Sequence, residues 1–170
     1  MSASIASLIG TVPFSHAKTY VTPDQAKILI WGDLVMEPLT IELSSQQQQS
    51  IQMASDVWVR SKKIKALKSK ENHWLIYDTV IGKHENIELA VGLTNEGEVK
   101  GIEIMVYRES YGYEIMNPHW LAQFLNKKSS HNVKIDHNIK NISGATLSCV
   151  HVTDGINRLT HTWHKALRFI

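Results

Sequence analysis

Between His73 and Arg108 the chain carries three β-rich runs joined by short connections. His73–Ile81 and Ile87–Leu93 are dense in aromatic and β-branched residues, and Thr94-Asn95-Glu96-Gly97-Glu98 then forms a turn. The third run, Val99–Arg108, sets Ile102, Ile104 and Val106 in alternation with Glu103, Met105 and Tyr107. A parallel crossover needs about a dozen residues or more, so runs this close pair antiparallel. The expectation is a consecutive antiparallel meander with one face buried.

The element that packs on that face is read from the C-terminal end. Ala145, Cys149, Val152, Ile156, Leu159, Trp163 and Leu167 recur at helical spacing. The pattern predicts a long helix from about Gly144 to Leu167, starting at the turn Ser143-Gly144-Ala145-Thr146. Ser143 is expected to cap it, its side-chain oxygen accepting from a first-turn N–H. Cys149 falls on the apolar stripe and reads as a core thiol rather than a nucleophile. It is the one cysteine, so an internal disulfide is excluded. The fold class is therefore α+β, a meander packed against helices.

Upstream, Thr22-Pro23-Asp24-Gln25 opens a helix with Ala26, Leu29 and Ile30 toward the core, stopped at Trp31-Gly32-Asp33. Pro38 breaks the next stretch, and a second helix runs from Ser45 through Ala54. The stretch from Val57 to Leu67 fits strand or helix. Asn117-Pro118 starts a short helix carrying Trp120, Leu121 and Phe124, and residues 126–142 read as a polar loop. A length of 170 residues suits one domain with a sizeable core. It divides into residues 1–17, a segment at 18–75 and a core at 76–170. In the first of these, the apolar run Ile5–Val12 ends at Ser15-His16-Ala17, with small residues where a signal peptidase reads. With no basic residue before Lys18, it reads as a truncated or weak export signal, too short to span a bilayer as a helix. The mature protein is expected not to span a membrane.

Several chemistries lack their residues. The formal net charge of +2 gives no polyanion field, and Lys62, Lys63, Lys65, Lys68 and Lys70 read as a solvated face, so nucleic acid is not an expected partner. Glycine-rich dinucleotide and Walker loops, Cys-x-x-Cys-His and His-Glu-x-x-His are all missing from the sequence. His161 and His164 could share a helix face, but no third ligand is spaced with them. Ser143 or Ser148 with His151 has no Gly-x-Ser-x-Gly frame for a hydrolase. The start of the long helix reads either as a bare capped helix start or as one that could hold an anion. Its unpaired N–H groups and dipole suit a phosphate, and Thr146 presents a hydroxyl there.

Ile142-Ser143-Gly144-Ala145-Thr146-Leu147-Ser148 resembles the signature of the FMN-binding domain family. That family includes flavin-carrying subunits of the sodium-pumping NADH:quinone reductase and of Rnf complexes, and exported single-domain relatives. Glu109-Ser110-Tyr111-Gly112-Tyr113 resembles the family's Glu-Thr-Pro-Gly-Leu-Gly segment, with Trp120 and Phe124 matching its Trp…Phe helix. Gly92, Gly97 and Gly101 match the strands before it, so the resemblance covers about residues 76–160. It implies FMN as cofactor, joined through a phosphoester to Thr146 by a flavin transferase. Ser143, Gly144 and Ala145 would let the phosphate approach, and Glu109, Tyr111 and Gly112 would lie beside the isoalloxazine. It further implies an electron-transfer flavoprotein, periplasmic or otherwise extracytoplasmic. Its redox partners would be a membrane quinone-linked donor or a cytochrome. Two positions depart from the pattern: Lys140 stands where relatives often carry an acid, and Tyr111 replaces the proline. A flavin-dependent reductase of a small molecule, a non-covalent FMN binder and a flavin-free binding module are the alternative readings.

Overall fold

Six antiparallel strands make a single sheet in the order β1-β6-β5-β4-β3-β2. They are β1 (Lys18–Thr19), β2 (Met36–Glu42), β3 (Lys63–Ser69), β4 (Trp74–Ile81), β5 (Asn86–Leu93) and β6 (Val99–Tyr107). The helices are α1 (Pro23–Trp31), α2 (Ser45–Ser55), α3 (Pro118–Leu121) and α4 (Thr146–Lys165). This is a computed structural model that describes residues 18–170; the export signal read at residues 1–17 lies outside the described residues.

The meander from β4 to β6 and the long helix are where the sequence places them. β3 resolves the second half of the open stretch as strand, pairing with β2 along its whole length, while residues 57–62 are irregular. Pro38 does not break the chain; it lies within β2, opposite Leu67. β2 is an edge strand, where a proline's missing N–H costs least. The two N-terminal helices start on reciprocal capping pairs. Thr22 Oγ1 accepts from Gln25 N at 3.2 Å while Gln25 Oε1 accepts from Thr22 N at 2.9 Å, and Ser44 with Gln47 repeats the arrangement.

The sheet buries both faces at its centre, not one. On one side α4, α2 and the α3 region cover Trp74, Ile76, Ile87, Leu89, Val91, Ile102, Ile104 and Tyr107. On the other, α1 covers Leu75, Ala90, Met105 and Val106 with Ala26 and Ile30. Leu29, expected in the core, is instead 62% exposed. The close approach of α1 rests on a cross-strand glycine pair, Gly92 opposite Gly101. A Cβ at Gly92 would collide with Ile30, and one at Gly101 would come within 3.2 Å of it. Burying such an isoleucine contributes about 1.5–3 kcal/mol.

A bulge corrects the expected alternation of the third run. Ile87 pairs with Tyr107 and Glu88 with Val106, but Leu89 pairs with Ile104, leaving Met105 as the extra residue. The strand end is thereby turned over, so Val106 faces α1 and Tyr107 joins Ile102 and Ile104 in the main core. This places the Tyr107 hydroxyl beneath the segment that leaves β6.

Candidate flavin site

In an antiparallel meander alternate connections share one end of the sheet. The β4–β5 turn and the chain leaving β6 therefore meet, and the start of α4 packs beside them. The three enclose a cleft of about 650 Å³, lined by Lys83, His84 and Glu85 from the turn, Arg108 to Tyr111 from the strand exit, and Gly144 to Ser148. Such a volume falls in the range of roughly 300–1,000 Å³ that small-molecule sites occupy.

The helix start differs from the expected one. Ala145, not Ser143, occupies the cap position, and no side chain caps the helix. Ala145 N donates to Ile142 O at 3.0 Å, closing a turn in which Gly144 takes φ +88°. A Cβ at Gly144 would meet nothing within 4 Å, so conformation, not crowding, calls for glycine there. Uncapped, the first turn keeps N–H donors available for an anion at the positive end of a 20-residue helix. Thr146, its first residue, is exposed.

Glu109 leans across to the neighbouring turn. Its Oε1 accepts from His84 N at 2.6 Å and Glu85 N at 3.1 Å. Burial pushes the carboxyl pKa up, but the N–H groups of His84, Glu85 and Lys83 and the nearby His84 charge outweigh it, holding the group below its ordinary value. A Cβ at Gly82 would collide with that carboxylate. Two residues on, the Tyr111 carbonyl accepts from the Tyr107 hydroxyl at 2.5 Å, which also lies 3.3 Å from Ser148 Oγ. Burial raises the Tyr107 pKa, keeping the phenol protonated as a donor. Gly112 takes φ +88°, and a Cβ there would sit 2.8 Å from the Tyr107 oxygen.

Of the residues named from the sequence, Glu109, Tyr111, Gly144, Ala145 and Thr146 line the cleft together. Gly112 packs behind it against Tyr107 and Ala145, and Ser143 is exposed outside the lining. The Tyr111 ring is 83% exposed, leaving its faces open to a planar ligand. Lys83, His84 and Arg108 join the lining without any motif to single them out. The meander itself carries that signal, because it brings residues 82–86 to the strand exit. Cys149 is fully buried, and burial raises its pKa, as a core thiol requires.

A larger cleft of about 820 Å³ opens where β3 and β4 part beyond the Lys65–Tyr77 pair. The ion pair of Asp78 and Arg158 lies in its wall, but none of the residues around Thr146 does. Size therefore does not select the site; the exposed threonine at an uncapped helix start does.

The uncapped turn, the open aromatic ring and the basic side chains of Lys83, His84 and Arg108 would suit a planar ligand with an anionic group. The FMN-binding domain family model matches residues 82–161, so this segment is similar to that family's domain, and the match supports FMN as cofactor. Among solved structures, the crystal structure of Shewanella oneidensis NqrC is similar at 14% identity and a TM-score of 0.46, covering 78% of this chain and 79% of that one. No curated protein matches the chain significantly.

Proposed function

We propose that this protein is an exported electron-transfer flavoprotein that carries FMN on Thr146. The observation that carries the reading is the exposed Thr146 hydroxyl, opening onto the cleft of the matched segment at a helix start that no side chain caps. Thr146 Oγ1 would form the ester with the flavin-side phosphate of an activated flavin dinucleotide donor, giving up its proton to a base as the pyrophosphate bond breaks and a nucleoside monophosphate leaves. The remaining phosphate charge would meet the first-turn N–H groups and the helix dipole, a stabilisation of about 0.3–1 kcal/mol where exposed. Tyr111 would supply a ring face to the isoalloxazine, and Lys83 and His84 would add positive charge on the wall of the cleft. Bound there, the flavin supplies one- and two-electron chemistry, while the chain fixes its position and surroundings.

A flavin transferase is the partner that would install the ester, and a membrane quinone-linked donor or a cytochrome would exchange electrons with it. Among the described residues no helix is long and apolar enough to cross a membrane. The reading supports a module working at the outer side of the cytoplasmic membrane, delivered by the export signal read in residues 1–17. The test is intact mass and peptide mapping of protein made with a flavin transferase. One FMN adduct is expected on the peptide holding Thr146, retained in Thr146→Ser and lost in Thr146→Ala. Flavin that leaves on denaturation, with an unmodified Thr146 peptide, would replace the ester by non-covalent binding.

A further inference from the structure

The β4–β5 turn forms one wall of the cleft, yet Lys83, His84 and Glu85 are exposed and bring no apolar packing of their own. Inside the turn, Gly82 N donates to Glu85 O at 2.7 Å. From outside, Glu109 grips it: one carboxylate oxygen accepts two successive N–H groups, in space that only a glycine at residue 82 leaves free. The same strand exit is gripped a second time at the Tyr111 carbonyl, by Tyr107 beside Ser148 of α4. Residues 109–111 are thus fastened to two walls of the cleft.

The geometry points to Glu109 as a positioning residue for the flavin, one that acts through the β4–β5 turn by anchoring it so that Lys83 and His84 line the cleft onto which Thr146 opens. The anionic part of the ligand, its phosphate, is the chemical group those basic side chains suit. Glu109 directs its carboxylate at the His84 and Glu85 amides, and its charge also interacts with that of His84. The charged groups around it are Lys83, His84 and Glu85 on the turn and Arg108 beside it, the last paired with Glu88 at 2.9 Å. This role rests on the FMN reading of the cleft, whereas the anchor itself does not.

Two experiments separate anchor from role. In flavin-free protein, the amide proton shifts of His84 and Glu85 are followed by NMR against pH. Both should titrate with a common midpoint below the ordinary glutamate value. Glu109→Gln should abolish that titration while keeping an acceptor in place, and Glu109→Ala should speed hydrogen exchange at both amides. Amides that ignore both pH and Glu109→Ala overturn the anchor. In the second experiment FMN affinity is measured on Thr146→Ala protein, where no ester forms. Glu109→Ala should weaken it on the order of tenfold, the scale of one lost charge-assisted hydrogen bond, with Glu109→Gln restoring most of the loss. Equal affinity in Glu109→Ala and its parent overturns the positioning role even where the amides respond. A parent that binds no FMN, yet whose amides titrate, overturns the role through the flavin reading and leaves the anchor standing.

Discussion

Asn141 Nδ2 donates to Thr146 Oγ1 at 3.3 Å, while Asn141 Oδ1 accepts from Ile142 N at 2.8 Å. One side chain thus closes the chain upstream of the helix and occupies a lone pair of the hydroxyl that would carry the flavin. The hydroxyl proton is left to point away from Asn141, toward whatever base removes it.

Asn141 should therefore matter to attachment in a way that depends on its donor. Asn141→Ala loses a neutral hydrogen bond of about 1 kcal/mol, corresponding to roughly fivefold slower adduct formation. Asn141→Asp should be slower still, because a carboxylate would accept the hydroxyl proton and repel the incoming phosphate. Intact mass against time, with purified transferase, reads both. Attachment in Asn141→Asp as fast as in wild type would remove the proposed orientation.

The two left-handed glycines of the site should respond differently to alanine. Gly144→Ala has open space around the new methyl, so it bears only the left-handed backbone cost of about 1–2 kcal/mol. Gly112→Ala bears that cost and also places a methyl 2.8 Å from the Tyr107 oxygen, so the Tyr107–Tyr111 bond must shift. Urea denaturation should show the larger loss for Gly112→Ala. Equal losses would mean that the Tyr107 ring yields freely.

The meander and the long helix are legible in the sequence because period-2 and period-3.6 patterns are local. The second core is not, because α1 buries only Ala26 and Ile30 there, with Trp31 packed partly buried beside them, and the glycine groove that receives Ile30 is formed by residues paired across strands. The Met105 bulge is equally hidden, since an extra residue changes which face is buried without changing composition. At the site, the small-residue turn announces Thr146 directly. Ser143 has the propensity of a cap but not the position: Gly144 at positive φ turns the chain once more before the helix begins. The turn residues Lys83 and His84 carry no motif, and only the topology brings them to the cleft.

Cys149 tests whether the apolar stripe is a core stripe. Fully buried, with burial raising its pKa, it should stay unreactive toward a water-soluble disulfide reagent until the protein unfolds. Cys149→Ser should cost about 1–3 kcal/mol, the range for a buried hydroxyl without a good partner, and leave FMN loading unchanged. Rapid labelling of the native protein, or loss of loading without loss of folding, would give the thiol a functional place.

Acid should weaken the fold through a histidine far from the flavin cleft. His161 is 8% exposed, and neither ring nitrogen has a hydrogen-bond partner among the described residues. Burial lowers its pKa below 6.5, with His164 and Lys165 adding to the effect. Between that lowered value and 6.5 the unfolded chain binds more protons than the folded one, so stability rises with pH across the window. It is complete above the unfolded value and falls on acidification toward the folded one. Glu109, also lowered, acts in the same direction at lower pH, whereas Asp154, raised above 3.8 by burial, acts in the opposite one. His161→Leu removes both the titration and two unpaired nitrogens. It should gain about 1–3 kcal/mol even at pH 8, and more at pH 5.5. Urea denaturation at the two pH values gives the comparison. Parallel losses in wild type and His161→Leu would move the acid sensitivity to another group, with His164, lowered first by burial, next in line.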